Sequence, residues 1–251
     1  NIAMEYVARS AADGYTLMLA LTPQLAVNGA LYAKLPYDPI QSFTPISLIG
    51  EAPYLLLVHP GLSVNHLKDL LALAAQEKGQ LAYASSGSGS GGHMAAELLI
   101  HMTGIPMTHV PYKGVGPLMT DLMAGRLQVF FSSASAALPQ IKGGKLKALA
   151  VTTPYRMNSL PQVPSVAESG LPGFSYTLWG GLFAPTGTPS AVVEQLNKEV
   201  NAVLALPDIR ARLEADNLAV PRNSPAEFAE YVRAEAQKFE KLIKEANLKV
   251  E

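Results

Sequence analysis

Residues 84–93 read ASSGSGSGGH, between a short apolar run and a helical pattern. Four serines and four glycines strip away side-chain bulk, free backbone N–H groups and aim a helix N-terminus at whatever binds there, so the predicted guest is an anion. Gly87, Gly89 and Gly92 satisfy the dinucleotide fingerprint G-x-G-x-x-G literally. That fingerprint also needs an acidic residue about 20 positions on, at the end of the next strand, to hold the ribose. The chain offers Val110-Pro111-Tyr112-Lys113-Gly114 there, without an acid. A phosphate-binding P-loop needs Lys and then Ser or Thr after its last glycine, and His93 and Met94 occupy those places. The nucleophile elbow G-x-S-x-G fails too, because Ser88 lies between Ser86 and Ser90, and Ser90 between Ser88 and Gly92.

Three further strand ends fall on the same sheet edge if the strands are parallel. They carry Tyr112-Lys113-Gly114, Ser132-Ser133 and Thr152-Thr153, and an earlier strand ends in Thr22-Pro23-Gln24. Lys113 is the one cation among them and no arginine is present, so a ligand carboxylate would be held by hydroxyls, backbone N–H groups and water. His93, on the first turn after the glycine loop, either touches the ligand or packs beneath it. His101 and His109 are expected to cover the surface. Trp179, the sole tryptophan, either lines a cleft or packs between lobes. The five histidines form no i, i+4 pair or His-Glu-x-x-His arrangement, so no metal is expected. No carboxylate pair or Ser-His-Asp set falls among these loops, and a cleft rich in donors but poor in acids and bases suits binding rather than catalysis. Neither catalytic residues nor a cofactor are expected.

The elements that would position these loops follow from patterning. The 251 residues carry 19 basic and 20 acidic side chains, a formal charge of −1, which argues against nucleic-acid binding. Apolar residues make up 49% and charged residues 16%, a composition rich in core. Zero cysteines exclude disulfides and thiolate chemistry. The uncharged stretches 14–33 and 169–193 are broken by Pro and Gly and do not read as membrane spans. No signal peptide is visible, and the chain reads as a mature or truncated fragment. Apolar runs predict strands at 16–21, 43–49, 54–59, 81–84, 107–112, 127–131, 145–152 and 177–184, interleaved with helices at 64–76, 93–102, 115–124 and 135–142, the signature of a mostly parallel α/β sheet. Only helices follow residue 185, at 190–204, 207–215 and 225–246. The strands 54–59 and 177–184 bracket four βα units, giving lobe 1 as 1–56 plus 182–251 and lobe 2 as 57–181, joined by two crossing strands around a cleft.

In order, the segments GYTLMLA, LYAKLPYDPIQSFTPISLI, ASSGSGSGGHMAAELL, HVPYKGVGPLMTDLMAGRLQVFF, GGKLKALAVTT, LPQVPSVAESGLPGF and WGGLFAPTGTP resemble the solute receptors of tripartite tricarboxylate transporters, the Bug or TctC type. The resemblance covers essentially the whole chain. It implies an α/β type II periplasmic-binding-protein fold, two α/β lobes closing on a small organic carboxylate, a periplasmic location, membrane transporter subunits as partners, and a monomer. Carried over residue by residue, it implies ligand-binding roles for Ser85, Ser86, Gly87, Ser88, Gly89, Ser90 and His93. The VPYKG turn adds Tyr112, Lys113 and Gly114, and the next strand end adds Ser132 and Ser133. Thr22 and Pro23 come from the first lobe, and Trp179 is the aromatic candidate. Members of the family begin with a further strand and a Pro/Gly-rich loop that grips the ligand's proximal carboxylate, ahead of the segment resembling Asn1-Ile2-Ala3. The alternatives are a dinucleotide-dependent oxidoreductase and the effector-binding domain of a transcription regulator.

Overall fold

Apolar runs too short for helices and rich in Val, Ile, Leu and Phe become strands, and the amphipathic stretches between them become helices. The computed structural model describes residues 1–248, and the chain divides into two compact units, Asn1–Glu51 with Trp179–Glu251, and Ala52–Leu178. The chain passes from one unit to the other within two strands, β2 (Phe43–Val58) and β7 (Thr177–Pro185).

In the first unit, α1 (Ile2–Ala8) precedes β1 (Met18–Leu21), which pairs antiparallel with β7 from Met18 opposite Phe183 to Leu21 opposite Gly180. A π-helical turn, Pro23–Val27, runs directly into α2 (Asn28–Leu31); neither is evident from periodicity, because a five-residue turn repeats no pattern. Three helices close the unit: α7 (Ser190–Leu204), α8 (Pro207–Ala215) and α9 (Pro225–Glu245). Phe228, Val232, Phe239, Leu242 and Ile243 form the buried stripe of α9. Phe228 reaches so close to Gly181 that a Cβ there would stand 2.1 Å from its ring, and any larger residue would displace that buried ring.

The second unit holds β3 (Ala82–Ser85), β4 (Thr108–Pro111), β5 (Val129–Ser133) and β6 (Lys147–Val151) with the C-terminal part of β2. Its helices are α3 (Leu67–Glu77), α4 (Gly91–Thr103), α5 (Val115–Met123) and α6 (Ala134–Lys142). Leu55, Leu57, Leu118, Leu122, Phe130 and Val151 anchor its core. No described helix is long and apolar enough to cross a membrane.

Two expectations change. The sheet is mixed rather than mostly parallel: β3 pairs parallel with β4 and β5, but β2 runs antiparallel to both β5 and β6. Residues 43–49 and 54–59 are also not two strands but parts of one. Gly50 and Pro53 read as breaks in the sequence, yet Glu51 keeps a ladder partner in Ala219 through backbone bonds of 2.8 and 2.9 Å, and proline's fixed φ is compatible with an extended chain. Because β6 is antiparallel to β2 and β2 to β5, strands β3 to β6 all point the same way. Their C-terminal ends share one edge, as the loop argument required.

Candidate functional site

At that edge, β3 delivers Ser85 to the start of the glycine loop and α4 begins at Gly91. Gly87 and Gly89 have φ of 137° and 77°, a left-handed region that favours glycine. The loop is held from inside. Ser85 Oγ accepts from Gly87 N–H at 3.2 Å and lies 3.0 Å from the Gly87 carbonyl, which also accepts from Ser90 N–H at 3.1 Å. Gly89 N–H donates to His93 Nδ1 at 3.0 Å.

Gly91 and Gly92 let the helix start close against its neighbours. A Cβ on Gly91 would stand 2.5 Å from the Tyr54 hydroxyl and 2.8 Å from that of Tyr176; one on Gly92 would stand 2.5 Å from the Phe131 carbonyl oxygen. Tyr54 and Tyr176 meet edge to face at 5.4 Å, and burial pushes the Tyr54 phenol up to about 12. Ser90, the N-cap of α4, makes no side-chain cap, and its buried Oγ has no hydrogen-bond partner among the described residues. The first N–H groups of a helix have no partner within it, so this helix start offers donors and a hydroxyl without internal claims on them.

The same arrangement recurs at the next two strand ends. Gly114 (φ 104°), which has no side chain, is the N-cap of α5, and Ser133 is that of α6, its Oγ 3.3 Å from Ser135 Oγ rather than on a helix N–H. Tyr112 N–H donates to the Ser85 carbonyl at 2.8 Å, tying the VPYKG turn to the glycine loop. Its hydroxyl turns away to Asp121 at 2.7 Å; that bond, joined by Arg126, holds the Asp121 carboxyl below its ordinary value. Lys113 and Ser88 are exposed, Ser86 is half-buried and Ser132 is buried. Thr152, buried, is committed to the backbone, donating to the Tyr176 carbonyl at 2.7 Å and accepting from Tyr54 N–H at 2.9 Å.

The structure therefore brings together Ser85 to Ser90, His93, Tyr112 to Gly114, Ser132 and Ser133 within one unit. The other three candidates lie in the first unit and are tied to one another. Trp179 N–H donates to Thr22 Oγ1 at 2.8 Å, and Pro23 opens the π-helical turn. The Trp179 ring is 0% exposed, packed edge to face on Phe228 and Tyr231, with its Nε1–H directed to Glu235 at 3.3 Å.

Sequence reasoning missed three residues. Tyr54 and Tyr176 come from distant segments, and nothing in their local patterns marks them. His109 was expected at the surface. Instead its ring packs against both Tyr83, at 4.9 Å, and His93, at 4.1 Å, which are themselves 6.3 Å apart, with Nε2 2.7 Å from Ser85 Oγ. The parallel register sets His109 beside Tyr83 on one face of the sheet, and that pairing was not legible locally. Burial, and then the neighbouring His109, push the His93 imidazole down to about 4. Burial raises the Glu97 carboxyl, which accepts from the Tyr83 hydroxyl. No cluster of three metal-ligating side chains occurs among the described residues.

An α/β chain of two units, with a donor-rich loop at the ends of parallel strands, has the fold of the periplasmic binding proteins, and its structural relatives carry that description. One, the periplasmic binding protein BugD, is 30% identical with a TM-score of 0.85, covering 99% of this chain and 84% of its own. An R. palustris protein solved with adipate is 36% identical with a TM-score of 0.89, over 99% of this chain and 84% of the other. MatC from Rhodopseudomonas palustris, with bound malate, is 33% identical with a TM-score of 0.84, over 96% and 83%. Residues 1–248 match the tripartite tricarboxylate transporter family receptor, and the chain belongs to that family.

Proposed function

We propose that this protein is an extracytoplasmic, periplasmic receptor that captures a small organic carboxylate and delivers it to the membrane subunits of a tripartite tricarboxylate-type transporter. The observation that carries the reading is the repeated strand end. Three helices, α4, α5 and α6, start after parallel strands at one sheet edge, and neither Ser90 nor Ser133 turns its hydroxyl onto the first N–H groups of its helix, while Gly114 has no side chain to do so. Backbone N–H groups at such ends favour negative charge, and Ser90 adds a buried hydroxyl without a partner among the described residues. No acid lies in residues 85–93, 112–114 or 132–133 to oppose a carboxylate. Family membership and the adipate and malate held by two relatives support the same ligand class.

The ligand-holding groups in this reading are the Ser85 to Ser90 loop, the Tyr112 to Gly114 turn, and Ser132 with Ser133. The protein acts as a monomer and leaves its ligand chemically unchanged.

A thermal-shift and calorimetric screen against adipate, malate, other di- and tricarboxylates and nicotinamide dinucleotides tests this. One group of organic acids should stabilise the protein, by roughly 2.7 kcal/mol at about 100 times its dissociation constant. Stabilisation by a dinucleotide alone, or by none of the acids, overturns the reading.

A further inference from the structure

Beneath the glycine loop, His93, so far a candidate ligand contact, belongs to a cluster of buried and half-buried rings. His93 from α4, His109 from β4 and Tyr83 from β3 form a triangle of nearly parallel rings, with interplanar angles of 20° for the histidine pair, 16° for His109 on Tyr83 and 13° for His93 on Tyr83. Each histidine ends on a different part of the loop, His93 Nδ1 on Gly89 N–H and His109 Nε2 on Ser85 Oγ.

One neutral arrangement of protons satisfies these contacts. Ser85 Oγ has one hydrogen to give and two lone pairs. It takes the Gly87 N–H, and giving its hydrogen to the Gly87 carbonyl leaves its second lone pair for His109, whose Nε2 must then carry the proton. His93 accepts at Nδ1, so its own proton is on Nε2, facing Glu97 at 3.7 Å. Both rings are neutral in this arrangement and every loop bond is satisfied.

We propose that His93 and His109 are positioning residues of the carboxylate site: as a neutral stacked pair they hold Gly89 N–H and Ser85 in the geometry that binds ligand, and acid that protonates the pair releases the loop. This rests on the ligand reading above. The mechanism is local. A proton on His93 Nδ1 would face the Gly89 N–H donor to donor, and a second positive charge on His109 would lie 4.1 Å away ring to ring.

The other groups around His93 do not offset this strongly. Tyr83 on β3 is engaged with Glu97, which burial keeps towards its protonated form. Strand β5, packed along α4, contributes no titratable group. Tyr54 and Tyr176 meet the helix at Gly91 through neutral hydroxyls. Burial already disfavours the charged form of both histidines.

Two variants test the proposal. His93→Leu keeps the volume and removes the acceptor; His93→Asn places Oδ1 where Nδ1 stands and cannot titrate. With adipate and malate as probes, the Leu variant should bind about tenfold more weakly at neutral pH while its circular dichroism is unchanged. The Asn variant should recover most of that loss and flatten the fall in affinity expected of the natural protein as pH drops towards about 4. Amide exchange at Gly89 in ligand-free protein supplies a readout independent of ligand identity: protected in the natural and Asn forms, fast in the Leu form. Affinity and Gly89 exchange in the Leu variant equal to the natural protein's would overturn the positioning role, as would a pH profile unaltered by His93→Asn. If neither probe binds the natural protein, the ligand reading fails, while Gly89 exchange still decides whether His93 holds the loop.

Discussion

Gly92 shows how much of this site is fixed by the absence of a side chain. The α4 start lies so close to β5 that a Cβ would meet the Phe131 carbonyl oxygen at 2.5 Å, and a backbone atom cannot swing aside as the tip of a side chain can. Gly91 differs, because its neighbours are the hydroxyl ends of Tyr54 and Tyr176, which can move at the cost of their own packing. Gly92→Ala is therefore expected to lower stability by about 1–3 kcal/mol, the usual range for overpacking, and to weaken carboxylate binding by shifting the helix start. Urea denaturation with calorimetry on the same samples checks both. A Gly92→Ala protein as stable as its parent, with undiminished affinity, would show that the close approach is not a constraint.

At the scale of elements, what sets α4, α5 and α6 apart is an uncapped start at one shared sheet edge, since α1, α7 and α8 are uncapped elsewhere. Helix α9 is closed by its own residues: Ser224 Oγ accepts from Glu227 N–H at 3.2 Å while the Glu227 carboxylate takes the Ser224 N–H at 2.8 Å. Helices α4, α5 and α6 have no such closure. Ser224→Ala should thus cost about 1 kcal/mol of stability and leave carboxylate affinity alone, whereas Ser133→Ala should change stability by less than about 0.5 kcal/mol and weaken binding. Equal effects of the two on affinity would refute the division. The last helix, expected at 225–246, and the glycine loop of α4 were legible in the sequence, because helical spacing and backbone exposure are local properties written in residue type. The π-helical turn after Thr22 and the continuity of β2 through Gly50 and Pro53 were not. The first has no period, and the second depends on a ladder partner, Ala219, that only the folded chain supplies. The same holds for Tyr54, Tyr176 and His109, whose importance lies in what they touch rather than in what surrounds them along the chain.

For the whole molecule, the buried titratable groups predict a stability plateau with two edges. His93 and His109 are held below their ordinary 6.5 in the fold, so they take up protons on unfolding. Their contribution is complete above about 6.5 and is lost as pH falls towards the value of about 4 for His93. Asp69, Asp121, Glu168 and Glu227 are lowered by hydrogen bonds, and their contributions also vanish as pH drops through their folded values. Glu97 works the other way, since burial raises it and acid relieves the penalty on its charge, so the acid edge is softened but keeps its sign. On the alkaline side, Tyr54, raised to about 12, and Tyr83, raised by burial and by Glu97, hold their protons longer in the fold than out of it. Stability must therefore fall once pH exceeds the ordinary tyrosine value of 10. Urea midpoints measured across pH should form a plateau from about 6.5 to about 10, and Tyr54→Phe should make the alkaline edge shallower. A midpoint that climbs steadily from neutrality down to about 5 would mean that Glu97, not the stacked histidines, governs the acid response.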